Sequence, residues 1–128
     1  MNTAIRCLNY SSTNNGNIEK LYHKDKILQI PDMLRLEIAK FLYKYNNNLL
    51  PSSFKSYFTP VNSVHHFITR NSSSNFFLPR KDLDKGLTSL SYRGVKEWSK
   101  IPINIKNKNS IYSFTNNYRQ VLLESYNK

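Results

Sequence analysis

Residues Tyr92 to Pro102 read Tyr-Arg-Gly-Val-Lys-Glu-Trp-Ser-Lys-Ile-Pro and contain the only Trp of the chain. They also hold one of three Gly and one of five Pro. A lone Trp carries a large apolar ring with a single donor, so it is a packing anchor before it is anything else. Gly94 permits a tight backbone entry. Val95 to Lys100 is enough chain for one or two helical turns. Ile101 is pushed out of the helical region by Pro102, so the turn ends there. Nothing in this stretch is equipped for chemistry. Trp98, Gly94 and Pro102 are therefore the expected structural anchor.

The spacing of apolar residues around this anchor predicts a mainly helical α+β unit. It has three or four helices and a small antiparallel β element in the middle. Residues 17–58 form the helical part. Ile18, Leu21 and Tyr22 recur at helical spacing up to about Asp25. Pro31 and Asp32 suit the first turn of a longer helix, for φ and for dipole reasons. Leu34, Ile38, Phe41, Leu42 and Tyr45 then line one face until Asn46-Asn47-Asn48. A short Ser-rich turn after Pro51 carries Phe54, Tyr57 and Phe58, and Thr59-Pro60 stops it. Residues 64–92 read as loops and three short extended pieces: Val64 to Ile68, Phe76 to Leu78, and the Leu/Ser alternation of Leu87 to Tyr92. Residues 93–128 hold the Trp turn, a short turn over Ile103 to Lys108, and a last helix from near Ser110 to Tyr126. Ile111, Phe114, Tyr118, Val121 and Leu122 share its face, and Ser110 or Ser113 caps it. No internal repeat or linker divides the 128 residues, so they read as a single unit.

Several function classes find no support. Cys7 is the only cysteine, which rules out an internal disulfide or a thiolate cage. No run approaches the ~20 apolar residues of a membrane helix, and Met1 to Asn9 lacks the apolar core of a secretory signal. The reading is an intracellular protein, cytoplasmic or nuclear, not secreted and without a membrane partner. His65 and His66 are neighbours that a strand would point to opposite faces, and His23 and Cys7 are distant, so no metal site is expected. Asp82 and Asp84 form the one close acid pair, but Lys81, Lys85 and Gly86 around them make a solvated turn. A free-standing metal-dependent nuclease would have to rest on those two carboxylates alone. No phosphate-cradling Gly-rich loop and no nucleophile elbow is present. No catalytic residue and no cofactor is expected.

What remains is charge. The chain carries 19 Lys and Arg against 8 Asp and Glu, a formal net charge of +11. Such a balance favours a polyanion or an acidic membrane surface, although A/T-rich coding DNA would also raise Lys, Asn, Ile, Tyr and Phe together. Arg70, Arg80, Lys81, Lys85, Arg93, Lys96, Lys100, Lys106 and Lys108 are spread through the C-terminal half. Of these, Arg70, Arg80, Arg93, Lys96 and Lys100 are the candidate contacts to the RNA or DNA backbone. Tyr92 and Phe76 or Phe77 are candidate base-stacking residues if exposed, and core residues if not.

The order of short words along the chain resembles the extreme C-terminal region of reverse transcriptases of non-LTR (LINE-type) retrotransposons. The words are Ala4-Ile5-Arg6-Cys7, Leu28-Gln29-Ile30-Pro31, Phe41-Leu42-Tyr43-Lys44-Tyr45 and Leu49-Leu50-Pro51. His66, Thr69-Arg70, Pro79-Arg80 and Ser89 to Ser91 follow. Gly94, Trp98, Ile101-Pro102, Ile105-Lys106 and Ser113-Phe114 complete the order, and Ser99 stands where an Asn is usual. The resemblance implies a fragment following a polymerase palm and thumb, with residues 1–10 as the end of a thumb-like helix. The family is an RNA-directed DNA polymerase using palm carboxylates and divalent metal. Its Asp-Asp box has no counterpart here, so the implied role is non-catalytic: supporting the thumb of an upstream polymerase domain and gripping template RNA or target DNA. The alternatives are an inert relic of a decayed element and a free-standing small basic nucleic-acid-binding protein.

Overall fold

The structure is a computed structural model that describes residues 18–64, 75–78, 80 and 89–127. Its helices are α1 (Ile18–Lys24), α2 (Ile30–Asn46), α3 (Val61–Val64), α4 (Leu90–Lys100), α5 (Ile103–Lys106) and α6 (Ile111–Glu124). Short 3-10 turns cover Ser52–Phe54 and Ser125–Asn127.

Local chemistry accounts for the helix ends. Gln29 is extended before α2, with Pro31 and Asp32 in its first turn. Both α1 and α2 stop in a left-handed residue that is not glycine. Lys26 has φ 53° and Asn48 has φ 56°. In each case the next N–H reaches back around the end: Ile27 to Tyr22 O at 2.9 Å, and Leu49 to Lys44 O at 2.8 Å. These bonds satisfy carbonyls the helix leaves unpaired. Ser110 caps α6, its Oγ accepting the Ser113 N–H at 3.1 Å. Ile101 is extended before Pro102 and closes α4.

Among the described residues the expected antiparallel β element does not form, and the α+β class is corrected to a mainly helical one. Among the described residues no strand forms. Val64 ends the short helix α3. Phe76 to Leu78 is extended, but its pairing is one isolated bridge, Pro60 with Phe76. Pro60 has no N–H to continue a ladder. Leu90 to Tyr92 is the first turn of α4, not the end of a strand. Six residues of Leu/Ser alternation fit both periods. The helical one wins because Leu90, Gly94 and Trp98, four apart, all turn towards the core. Phe67, Ile68, Leu87 and residues 1–10 lie outside the described residues.

The core is built where α2 packs against both α4 and α6. Its centre is Trp98, 1% exposed, with Phe76 and Phe114 ring centroids 6.3 and 6.0 Å away. Tyr43 of α2 meets Phe114 at 4.6 Å. Gly94 is buried inside α4, where it faces α2. A Cβ added there would lie 3.0 Å from Leu42 Cδ2 and 3.5 Å from Phe58 Cζ. Its role is close helix approach rather than entry into a turn. Contact on two sides also rotates the buried face of α2. Leu36, Ile38, Ala39, Leu42 and Tyr43 are inside, while Leu34 is 45% exposed. Phe41 and Tyr45 pack instead on the rings of Phe54 and Phe58. In α6, Phe114, Tyr118, Leu122 and Leu123 are inside and Val121 is 38% exposed. The α6 end meets α1 as well as α2, which draws Leu123 in.

A polar staple joins the two ends of this core. The Tyr126 hydroxyl donates to Asp32 Oδ2 at 2.5 Å and accepts the Gln29 N–H at 3.0 Å. Arg35 Nη1 donates to Asp32 Oδ1 at 3.0 Å. Asp32 is thus a buried carboxylate with both oxygens engaged, which is the condition under which burial of a charge is tolerated. Burial and the Asp32 carboxylate push the Tyr126 hydroxyl up to about 12.

Candidate nucleic-acid interface

The side of α4 opposite Trp98 carries the charge. Arg93, Lys96 and Lys100 are exposed and stand at i, i+3 and i+7, so they form one row along the helix. At 1.5 Å per residue the row is about 10 Å long. That length spans about three phosphates of one strand at ~3.4 Å of axial rise each. Lys96 Nζ sits 6.0 Å from the centroid of the Tyr92 ring, which covers the N-terminal end of the row.

Glu97 flanks the row on the side of α2. It accepts from Lys100 Nζ at 2.9 Å, and Arg35 Nε approaches its other oxygen at 3.9 Å. Tyr118 lies within its field. Burial first, and the Glu97 charge second, push the Tyr118 hydroxyl up to about 12. Arg35 is a member of this patch that sequence reasoning did not find. Its place follows from how α2 lies on α4, and no signal short of that packing marks it. The patch then has four cations around two carboxylates, Asp32 and Glu97. The Lys100–Glu97 bond is exposed and holds the lysine only weakly, so a phosphate can compete for Lys100.

Arg80 is exposed. Arg70, Lys81, Lys85, His65, His66, Asp82 and Asp84 lie outside the described residues. Pro102 is exposed, and its carbonyl accepts the Ile105 and Lys106 N–H groups that open α5. Phe76 is a core ring and not a stacking surface, whereas Phe77 is 39% exposed and Tyr92 half-buried.

Lys106 overturns its assignment to the basic surface. It is 5% exposed. Its Nζ donates to Asn75 Oδ1 at 2.7 Å and lies 5.1 Å from the centroid of the Trp98 ring. Burial pulls its ammonium from the usual 10.5 down to about 8. The cation thus ties the extended segment after Asn75 to the Trp98 core.

Among the described residues no group of three or more His, Cys, Asp or Glu is placed to hold a metal ion. None of the described helices is long and apolar enough to cross a membrane. In comparisons with family models, curated proteins and solved structures, the chain matches none.

Proposed function

We propose that this chain is a non-catalytic unit that binds the phosphate backbone of RNA or DNA through the outer face of α4. Arg93, Lys96 and Lys100 carry the phosphate contacts, and Arg35 adds to them. Trp98 and Gly94 hold the helix that presents them. The observation that carries the reading is the three-cation row on a helix whose opposite side is packed into the core. A net charge of +11 supplies the long-range attraction. The resemblance to the tail of non-LTR retrotransposon reverse transcriptases supplies the setting: a segment beside the thumb of an upstream polymerase domain, holding template RNA or target DNA, inside the cell.

The test is fluorescence anisotropy on labelled RNA and DNA across a salt series. Neutralising each phosphate contact should contribute about 0.7 to 0.9 to the slope of log K against log salt. Charge reversal of Arg93 and Lys96 (Arg93→Glu with Lys96→Glu) should weaken binding and flatten the slope by at least the share of two contacts. Unchanged affinity and slope in a folded double variant would remove α4 as the interface.

A further inference from the structure

Phosphate contacts explain attraction but leave a second feature of the molecule without a role. A cleft of about 480 Å³ opens where α2 ends. Tyr45, Phe54 and Pro60 give it flat apolar walls, Asn46 and Asn48 bring two amides, and Lys55 brings one cation. Its size and its mixture of apolar wall and few polar groups fit a small-molecule site.

The walls are held. The Tyr45 hydroxyl lies 2.7 Å from Lys55 O and 2.9 Å from Phe58 O, and receives the Phe58 N–H at 3.3 Å. The helix closure at Asn48 and Leu49 fixes the backbone beneath the amides. Asn47 turns its own amide back onto Tyr43 O at 2.8 Å. Asn46 and Asn48 make no such side-chain bond among the described residues.

Phe58 backs the cleft from the core side: it is 4% exposed and its ring is 4.9 Å from that of Tyr45.

We propose that this cleft takes one unstacked nucleobase of a single strand. The proposal rests on the nucleic-acid reading above and adds a site to it. Aromatic and proline surfaces accept the face of any base. Asn offers a donor and an acceptor side by side, which matches the N6 and N7 edge of adenine and the N3 and O4 edge of uracil alike. Lys55 is exposed at the cleft and adds one cation that a phosphate of the same strand can meet. An acyl chain would leave both amides unused, and an inorganic phosphate would leave the rings unused.

Adenosine separates this site from the row, because a nucleoside has no phosphate for Arg93 or Lys96 to hold. With the isotope-labelled full chain, adenosine should move the Asn46 and Asn48 side-chain amide signals and the Phe54 and Lys55 backbone signals. The shifts should saturate with a Kd on the order of 1 mM. In Asn46→Ala with Asn48→Gly, which keeps a residue suited to positive φ, the Phe54 and Lys55 shifts should disappear. They should persist in Arg93→Glu with Lys96→Glu. The same cleft variant should lose about tenfold in affinity for a short adenine single strand while its affinity for duplex stays unchanged. Signals that do not move with adenosine overturn the proposal even where the α4 row binds RNA. Shifts at Phe54 and Lys55 that survive in the cleft variant overturn it too, since the nucleoside then sits elsewhere.

Discussion

Lys106 holds a charge in the interior with an amide and an aromatic face for company, and none of the carboxylates among the described residues pairs with it. The ammonium is pulled down to about 8, below its usual 10.5. The unfolded chain therefore binds this proton more tightly than the folded one, and folding is favoured as the proton leaves. The contribution is absent below about pH 8 and complete above about 10.5, with a size on the order of 1–3 kcal/mol. Tyr118 and Tyr126 act in the opposite sense. Their hydroxyls are raised to about 12, so stability they supply below pH 10 is lost as pH climbs towards 12. Urea unfolding from pH 7.5 to 10 should show a rise in stability that Lys106→Met abolishes. A rise of equal size in that variant would assign the effect to other groups. Lys26 offers a second single-residue test. Its φ of 53° is unfavourable for a residue with a Cβ, and its carbonyl receives Arg119 Nη2 at 2.7 Å whatever the side chain is. Lys26→Gly should gain about 0.5–1 kcal/mol in urea unfolding, since glycine adopts the helix-closing conformation without strain.

At the level of elements, the crossing of α2 and α4 decides whether the row is presented at all. Leu42 is fully buried opposite Gly94, so a Cβ at 3.0 Å has little room to displace it. For Gly94→Ala the gain in helix propensity, about 1 kcal/mol, opposes an overpacking cost of about 1–3 kcal/mol. For Gly94→Val the propensity gain shrinks and the clash grows. That variant should lose more than about 2 kcal/mol of stability by thermal unfolding. Stability within experimental error of wild type would mean that α4 does not approach α2 this closely. This crossing also shows what sequence alone reveals. The α2 and α6 helices are legible because Pro31, Asp32 and Ser110 mark their starts and their apolar spacing is long enough to fix a period. Half of α4 was hidden, because Leu87 to Tyr92 alternates and Gly94 looks like a boundary until a partner helix is laid against it. The row of Arg93, Lys96 and Lys100 is legible as charge, but its alignment becomes clear only once Trp98 fixes which side of α4 is inside. Arg35 and the burial of Lys106 depend on contacts between elements far apart in sequence, and no local pattern encodes them.

For the whole molecule, a net charge of +11 means that the folded chain and the unfolded chain both attract polyanions. Charge alone therefore does not tell a binding site from a basic composition, but thermodynamic linkage does. A ligand raises the unfolding midpoint only through its preference for the folded state. The unfolded chain presents the same 19 Lys and Arg, spread out and mobile. It competes well for a polyanion unless folding places some of those charges better than chance. The α4 row is such a placement, held rigid by the Trp98 core and about 10 Å in length. A short RNA at 100 times its Kd should then stabilise the fold by up to about 2.7 kcal/mol, less whatever the unfolded chain recovers by binding it. Scanning calorimetry with and without RNA, at low salt and at about 0.5 M salt, reads this directly. The midpoint should rise with RNA at low salt, the rise should vanish at high salt, and charge reversal at Arg93 and Lys96 should remove most of it. A midpoint that falls on adding RNA would mean that the polyanion prefers the unfolded chain, and that the row on α4 is surface charge without a ligand.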